Sequence, residues 1–202
     1  MVDERIDELV AAVRASAKYG AISPALIRRV GLRELAARRG MKDAVKATKN
    51  KLHQVAGAFL DARPPYAAWL ELLRNSVAPE PDATRSTRSS TLQAACLEIM
   101  RHHASTRERL PILAPLYGAV FERLPPVNSV LDLACGMNPL AVPWMPLAPG
   151  ARYYACDLYA DLAEFLNGFF ALAGIDGSAW ACDLLTEPPD QPADLALVLK
   201  AL

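Results

Sequence analysis

Two aspartates and one turn of small residues have the types and spacing to bind a nucleoside cofactor. The turn, Ala134–Gly136, follows an apolar, strand-like run, and Asp157 and Asp183 each come directly after another such run. Because the carboxyl ends of parallel strands meet at one edge of a sheet, we expect these groups to lie together. Asp157 lies 21 positions after Gly136, the interval at which an acidic residue accepts the hydrogen bonds of a ribose diol. Asp183 is then available to an adenine amino group.

The turn favours one class of nucleotide over others. A dinucleotide fingerprint needs G-x-G-x-x-G, and this chain has Ala134, Gly136 and Pro139 at the three glycine positions. The sequence contains no G-x-x-x-x-G-K-[ST] motif for a triphosphate. The turn fits S-adenosylmethionine better, since the methionyl part needs only close approach of the backbone and a cationic partner for its carboxylate. The alternative is that the small residues and acids at these strand ends only cap neighbouring elements and bind no ligand.

The elements that position these groups alternate between strands and helices after residue 128. The predicted strands are Ser129–Ala134, Arg152–Cys156, Ser178–Cys182 and Asp194–Leu199. A helix over Asp161–Ala173, ended by Gly174, connects the second strand to the third, and Pro139 marks a helix start after the first. Such alternation predicts an α/β, Rossmann-like fold with a mostly parallel sheet and right-handed crossovers.

The first half of the chain has helical periodicity instead. Helices are predicted over residues 3–19, from Pro24 (after an N-cap at Ser23) to about Ala37 with Gly40 ending it, from about Lys42 to Leu60, and over Tyr66–Leu73, Thr91–His103 and Leu116–Leu124. Pro, Ser, Thr and Asp in Ala78–Ser90 predict a loop. We therefore expect an all-α domain over 1–110 and a Rossmann-like domain over 111–202.

The predicted helix from Lys42 carries a basic face. Lys42, Lys46, Lys49 and His53 recur at intervals of four, three and four residues, and such a stripe can follow a phosphate backbone. Residues 1–110 hold 19 Lys+Arg and 12 Asp+Glu, whereas residues 111–202 hold 3 and 10. Together with neighbouring arginines, this asymmetry favours RNA binding by the first half, with a merely solvated helix face as the alternative.

Composition excludes several other classes. No apolar run reaches the roughly 18 residues of a membrane span, and the charged start, Met1–Arg5, lacks the apolar region of a secretory signal. The cytoplasm is the predicted compartment. The four cysteines form no CxxC pair and have no histidine at ligand spacing, so neither a zinc site nor a disulfide framework is expected. We predict no metal site.

Several motifs together resemble one enzyme family. These motifs are Asp132–Ala141 (DLACGMNPLA), His103–Leu110 (HASTRERL), Thr48–His53 (TKNKLH) followed by Gly57–Phe59 (GAF), Ala141–Met145 (AVPWM) and Leu197–Lys200 (LVLK). They closely resemble the aminoglycoside-resistance 16S rRNA methyltransferases, especially the type from gentamicin- and sisomicin-producing actinomycetes. The resemblance extends along essentially the whole chain.

The resemblance implies an S-adenosylmethionine-dependent enzyme that methylates N7 of a decoding-site guanine in 16S rRNA and thereby confers aminoglycoside resistance. By resemblance, Arg109 holds the methionyl carboxylate and Ala134 with Gly136 forms the cradle for methionine. Asp157 holds the ribose, and Asp183 with Leu184 holds the adenine. His53 and the helix that carries Lys42, Lys46, Lys49 and Lys51 dock on the assembled 30S subunit. The enzyme is expected to act as a monomer.

No catalytic residue is assigned, because N7 of guanine has a free lone pair and no proton to lose. Methyl transfer then depends on positioning and on rotating the base out of its stack. Members of the family resembled continue beyond the fourth strand, so we expect a sheet that stops there and a 202-residue chain that methylates poorly or not at all by itself. Two alternatives stay open: a non-catalytic ribosome- or RNA-binding fragment, and a small-molecule methyltransferase or nucleotide-binding oxidoreductase.

Overall fold

Helices dominate the first half of the chain and a parallel sheet the second. The computed structural model describes residues 2–56, 64–78 and 85–199. The helices are α1 (Val2–Arg14), α2 (Pro24–Ala37), α3 (Met41–Ala56), α4 (Tyr66–Val77), α5 (Arg85–Met100), α6 (Ala104–Arg109), α7 (Leu113–Phe121) and α8 (Ala160–Ala173). The strands are β1 (Ser129–Leu133), β2 (Arg152–Asp157), β3 (Asp176–Ala181) and β4 (Leu195–Val198).

The first three helices pack around their own apolar core. Residues at three- and four-residue spacing on α1 are completely buried against α2 and α3; the core comprises Ile6, Leu9, Val13, Ile22, Leu26, Ile27, Ala44 and Leu52. α1 ends at Arg14, earlier than predicted, because the next turn tightens and Ser16 N–H donates to Val13 O. α2 starts with Pro24 after Ser23 and ends at Ala37, as predicted, but its C-cap is Arg38 and not Gly40. The end predicted for α3, residues 57–60, lies outside the described residues.

The prediction of a loop over Ala78–Ser90 is wrong for residues 85–90, which form the start of α5. Beyond Pro81 this segment contains neither proline nor glycine, and serine and threonine cost a helix only a few tenths of a kcal/mol each. Residues 79–84 lie outside the described part. α4 extends past the predicted Leu73 to Val77, and α6 occupies a stretch for which no helix was predicted.

The sheet has the order β3-β2-β1-β4, and all of its pairs are parallel. This confirms the predicted α/β fold with a parallel sheet. The crossover from β2 to β3 is α8, which ends at Gly174 with φ +67°, as predicted. The segment after β1 differs: Asn138–Trp144 is a 3-10 helix and not an α-helix. Pro143 within it has no N–H to donate to an α-helical bond.

A second and larger core surrounds the sheet. It unites residues of α4, α5, α7 and α8 with residues of all four strands. Among them, Phe165, Phe169 and Phe170 of α8 and Tyr153 of β2 are almost completely buried. Among the described residues, α4 and α5 thus contribute to the core of the sheet and not to the core of α1–α3. The division into domains at residue 110 stays a prediction.

The N-terminal bundle is joined to the sheet next to the end of β2. Ser23 N–H donates to Leu158 O, and Ala160 N–H donates to Ala21 O, both at 2.7 Å. Ile22 and Tyr159 form the antiparallel bridge between them. The start of α2 therefore lies against the carboxyl edge of the sheet. None of the helices in the described ranges is long and apolar enough to span a bilayer.

Candidate cofactor-binding site

The turn after β1 has a left-handed backbone and packs closely against neighbouring residues. Ala134 and Gly136 both have left-handed backbones, with φ of +49° and +51°, and positive φ is uncommon for alanine. A Cβ atom at position 136 would lie 2.7 Å from Cε1 of His103. Position 136 therefore needs glycine for both its φ angle and its space.

Asp157 connects this turn to the end of β2. Its Oδ2 accepts the Gly136 N–H at 2.8 Å, and its Oδ1 accepts the Leu158 N–H at 2.7 Å. Burial raises the pKa of the Asp157 carboxyl, and the two backbone hydrogen bonds lower it in part. The structure thus brings together Gly136 and Asp157, as their spacing predicted. Whether Asp157 holds a ribose stays a prediction.

Asp183 follows β3 and is buried. Its carboxylate accepts hydrogen bonds from Arg29 Nε at 2.5 Å and Arg29 Nη2 at 3.2 Å. Leu185 N–H and Thr186 Oγ1 donate to it at 3.3 and 3.2 Å. Burial alone would raise the pKa of Asp183, but the bonds from Arg29 and its neighbours outweigh burial and hold that pKa below its usual value. Leu184, the other residue predicted on the adenine side, is half-buried.

Arg109, at the end of α6, belongs to a polar network beneath the turn. Arg109 Nη2 donates to Asn138 Oδ1 at 3.3 Å, and the Tyr117 hydroxyl donates to the same oxygen at 2.5 Å. Asn138 Nδ2 and the Tyr153 hydroxyl donate to Asp132 Oδ2 at 2.9 and 2.7 Å. Arg109 is therefore linked through Asn138 to a buried carboxylate in the middle of β1.

Two atoms of this network lack a partner. Among the side chains that the structure describes, Arg109 Nε and Asp132 Oδ1 are buried and make no hydrogen bond. Burial raises the pKa of Asp132 to about 7, although hydrogen bonds from Asn138 and Tyr153 and the charge of Arg109 lower it. Unpaired buried polar atoms are costly and call for an explanation. One donor and one acceptor left open here can receive a ligand with both charges.

His103 closes the site from the side of α6. It is buried, and its Nδ1 lies 3.1 Å from Ser105 Oγ. Burial and the charge of Arg109 lower its pKa to about 4, so the ring is neutral near pH 7. His103 therefore adds bulk and a polar edge to the turn without adding a second positive charge beside Arg109.

The basic residues predicted to contact RNA lie on α3. Lys42, Lys46, Lys51 and His53 are exposed and Lys49 is half-buried, whereas Ala44, Thr48 and Leu52 on the opposite side are completely buried. The predicted face therefore exists as a solvent-facing surface of the helix. Its role in RNA binding stays a prediction.

Sequence reasoning did not assign roles to several residues of the site. Asp132 gave a signal, because a carboxylate within the apolar run Val130–Leu133 is either paired or functional. Tyr117, Tyr153 and Arg29 gave no such signal, since each reaches the site from a distant element. Arg29 is 154 residues from Asp183 in the chain.

A parallel sheet with a left-handed turn after its first strand, and carboxylates at the ends of the next two, defines a Rossmann-like protein that binds a nucleoside cofactor. Residues 15–202 match the family described as ribosomal RNA methyltransferase (FmrO). The chain belongs to this family.

Relatives of known function agree with this assignment. The chain is 41% identical over 202 residues to the 16S rRNA (guanine(1405)-N(7))-methyltransferase of Micromonospora echinospora, covering 99% of this chain and 71% of that protein. The corresponding enzyme of Serratia marcescens is 28% identical over 197 residues, which covers 98% of this chain and 69% of that protein.

Solved structures show the same fold. The 16S rRNA methylase RmtB superposes with a TM-score of 0.73 at 29% identity, covering 96% of this chain and 70% of that one. The 16S rRNA methyltransferase RmtF, in complex with S-adenosyl-L-homocysteine, gives 0.70 at 29% identity and covers 96% of this chain and 68% of that one. The predicted fold class and family are confirmed, and the cofactor of the family is S-adenosylmethionine.

Proposed function

We propose that this chain transfers a methyl group from S-adenosylmethionine to N7 of a decoding-site guanine in 16S rRNA, the activity for which its relatives are named. The proposal includes the assembled 30S subunit as substrate, a monomeric enzyme in the cytoplasm, and aminoglycoside resistance as the biological outcome. The observation that carries it is the site at the carboxyl edge of the sheet, where Asp157 accepts the Gly136 N–H. Two buried atoms of the same site, in Arg109 and Asp132, have no hydrogen-bond partner among the described residues.

The residues present fit the cofactor. Its amino-acid end carries a carboxylate and an ammonium group, and the site offers a buried guanidinium nitrogen of Arg109 and a buried carboxylate oxygen of Asp132, each without a partner among the described residues. In this proposal, Arg109 receives the carboxylate and Asp132 the ammonium group. The absence of a side chain at Gly136 lets the turn pack directly against the His103 ring, since an added Cβ would lie 2.7 Å from Cε1 of that ring.

The nucleoside end is assigned to the next two strand ends. Asp157 is already oriented by two backbone N–H groups, and a carboxylate oxygen that accepts one hydrogen bond retains a further lone pair for a ribose hydroxyl. Asp183 and Leu184 are assigned to the adenine. The four donors around the Asp183 carboxylate fix the position of the segment that contacts the base.

The chemistry needs no acid–base group from the chain. S-adenosylmethionine supplies a methyl group that is activated for transfer, and guanine N7 accepts it through its lone pair. The residues of this chain therefore act by binding and orientation, which can account for most of a rate enhancement of this kind. The exposed basic face of α3 is assigned to the rRNA phosphates, whose attraction for Lys and Arg is independent of sequence.

The test is methylation of purified 30S subunits. The chain is incubated with 30S particles and S-adenosylmethionine, and N7-specific strand cleavage is followed by primer extension across the decoding site. We expect one stop at a single guanine, above the level of an Asp157→Ala control. Methyl transfer to another atom, or to a small molecule with the rRNA left unmodified, would contradict the proposal.

A non-catalytic role in ribosome binding is the second candidate, favoured by the exposed basic face of α3. It predicts 30S binding without any N7 signal, and binding that is the same in the parent chain and in Asp157→Ala. Because the proposed enzyme would also bind 30S subunits through α3, the N7 signal of the parent chain, and not binding, separates the candidates.

A further inference from the structure

We propose that Arg29 of α2 is a positioning residue of the cofactor site, which holds Asp183 in place for the adenine and thereby makes the N-terminal bundle part of that site. The inference rests on the proposed cofactor. It is carried by the juxtaposition of an arginine from the N-terminal bundle with the buried carboxylate that ends β3.

The contact has the geometry of a specific interaction and not of a surface ion pair. Arg29 uses two nitrogens on the two oxygens of Asp183, at 2.5 and 3.2 Å. The Arg29 side chain is 21% exposed and the Asp183 side chain 3% exposed. A bidentate guanidinium–carboxylate pair fixes orientation as well as distance, and removing one partner of a buried pair leaves the other charge uncompensated.

Most hydrogen bonds to Asp183 come from its own turn, whereas those of Arg29 come from another element. Leu185 N–H and Thr186 Oγ1 donate to the carboxylate from within its own turn, and Thr186 N–H and Glu187 N–H donate to Asp183 O. These contacts are local and move with the turn. Cys182 N–H, which donates to Asp157 O at 2.8 Å, ties the backbone before the turn to the end of β2. Among the described residues, Arg29 alone ties the carboxylate itself to a different element, so it orients that carboxylate.

The same helix also reaches the ribose side. Ser23, directly before α2, donates its N–H to Leu158 O, and Leu158 N–H is bound to Asp157 Oδ1. The start of α2 therefore adjoins the segment of Asp157, and its second turn adjoins Asp183. The helix thus binds Asp183 directly and Asp157 only through Leu158, and the other side of the helix packs in the core with α1 and α3.

Arg28 provides a matched control. It precedes Arg29 on the same helix, and it pairs with Asp7 of α1 across an exposed surface, with side-chain exposures of 46% and 62%. Exposed pairs of this kind contribute little. Arg28→Ala removes the same charge from the same helix without touching Asp183.

The experiment measures the affinity of the 202-residue chain for S-adenosyl-L-homocysteine and for methylthioadenosine by titration calorimetry. Methylthioadenosine retains adenine and ribose but lacks the amino-acid end. We expect Arg29→Ala to lower the affinity for both ligands by the same factor, about tenfold. Arg29→Lys should lower both affinities about threefold, because an ammonium group cannot donate to both carboxylate oxygens in the bidentate geometry of a guanidinium. Arg28→Ala should stay within about twofold of the parent.

The comparison with Arg109 separates the nucleoside end of the site from its amino-acid end. Arg109→Ala should weaken S-adenosyl-L-homocysteine and leave methylthioadenosine unchanged, whereas Arg29→Ala should affect both equally. Circular dichroism melts establish whether each variant is folded. If Arg29→Ala does not fold, Arg29→Lys replaces it as the test variant. If both Arg29 variants bind S-adenosyl-L-homocysteine within about twofold of the parent, the inference is wrong while the proposed function stands. If the parent binds neither ligand, the proposed function is wrong, and this inference with it.

Discussion

The two ends of the candidate site are built in opposite ways. At the end formed by Arg109 and Asp132, one donor and one acceptor are buried without a partner among the described residues. At the other end, Asp183 accepts four hydrogen bonds from the protein itself, and Asp157 accepts two.

This difference indicates that one end of the site binds the ligand's charged groups and the other end maintains the site's structure. Buried polar atoms without partners destabilise the free protein. Binding of a charged ligand therefore lowers the free energy most at the end formed by Arg109 and Asp132. The second end is already satisfied and serves as a fixed frame. We therefore expect changes at the frame to damage the site and the fold together, and changes at the open end to affect ligand binding selectively.

The largest effect is expected from Asp157→Ala. The change removes the acceptor for Gly136 N–H and Leu158 N–H and, in the proposed complex, the ribose contact. Affinity for S-adenosyl-L-homocysteine should fall about 100-fold, which corresponds to the loss of hydrogen bonds to a charged group. Titration calorimetry measures it, with Asp176→Ala as control, since Asp176 is exposed and pairs only loosely with Arg152. An affinity loss below about threefold would show that Asp157 does not support the cofactor site.

Gly136→Ala should lower the free energy of unfolding by about 2 kcal/mol. The left-handed φ of +51° is unfavourable for alanine, and the new Cβ would meet the His103 ring. Gly118→Ala is the control, because its added Cβ would meet no described atom within 4 Å beyond its chain neighbours and the backbone of its own helix, and alanine favours the helix. Urea unfolding of the two variants measures the difference. Equal stability would show that the turn adapts, and that the frame is less rigid than proposed.

Arg109→Ala tests the open end. It should weaken S-adenosyl-L-homocysteine about tenfold and leave methylthioadenosine within about twofold, because only the first ligand has a carboxylate. The measurement is calorimetry at constant pH. An equal loss for both ligands would mean that Arg109 supports the whole site through Asn138 and does not act on the amino-acid end alone.

Asp132→Asn tests the same end through pH. Burial raises the pKa of Asp132 to about 7, whereas an unfolded aspartate titrates near 4. Between these values the native state holds a proton that the unfolded state has lost, so this residue makes the parent less stable as pH rises. The stability of Asp132→Asn relative to the parent should therefore increase by about 1 kcal/mol from pH 5 to pH 6. Parallel profiles of unfolding free energy would contradict the assignment.

The smallest effect is expected outside the site. Lys46→Ala on the exposed face of α3 should weaken 30S binding about threefold at moderate salt and reduce the dependence of log affinity on log salt by about one. Lys18→Ala, an exposed lysine outside α3, is the control. If both variants bind alike at all salt concentrations, the basic face is only a solvated surface.

The sequence predicted those parts of the molecule that depend on local pattern. Apolar runs ending in small or acidic residues predicted the four strands and the meeting of Gly136 with Asp157, because parallel strands end at a common edge. Gly174 predicted the end of α8 through its left-handed conformation. The resemblance of whole motifs also predicted the family correctly, since several motifs spread along the chain agree on it.

The errors and omissions have a physical reason as well. The start of α5 was interpreted as a loop because Ser and Thr favour turns, although each costs a helix only a few tenths of a kcal/mol and no proline or glycine follows Pro81 there. The contacts of Arg29 with Asp183, and of Tyr117 and Tyr153 with the network of Asp132, connect residues from different elements. Periodicity along one segment contains no information about such pairs, so the frame of the site is visible only in three dimensions.

The most direct test of the central claim is a crystal structure of this chain with S-adenosyl-L-homocysteine. We predict that the amino-acid end of the ligand bonds to Arg109 Nε and Asp132 Oδ1, that the ribose hydroxyls bind Asp157, and that the Arg29–Asp183 pair persists beside the adenine. A ligand bound with its ends reversed, or bound away from the carboxyl edge of the sheet, would contradict it.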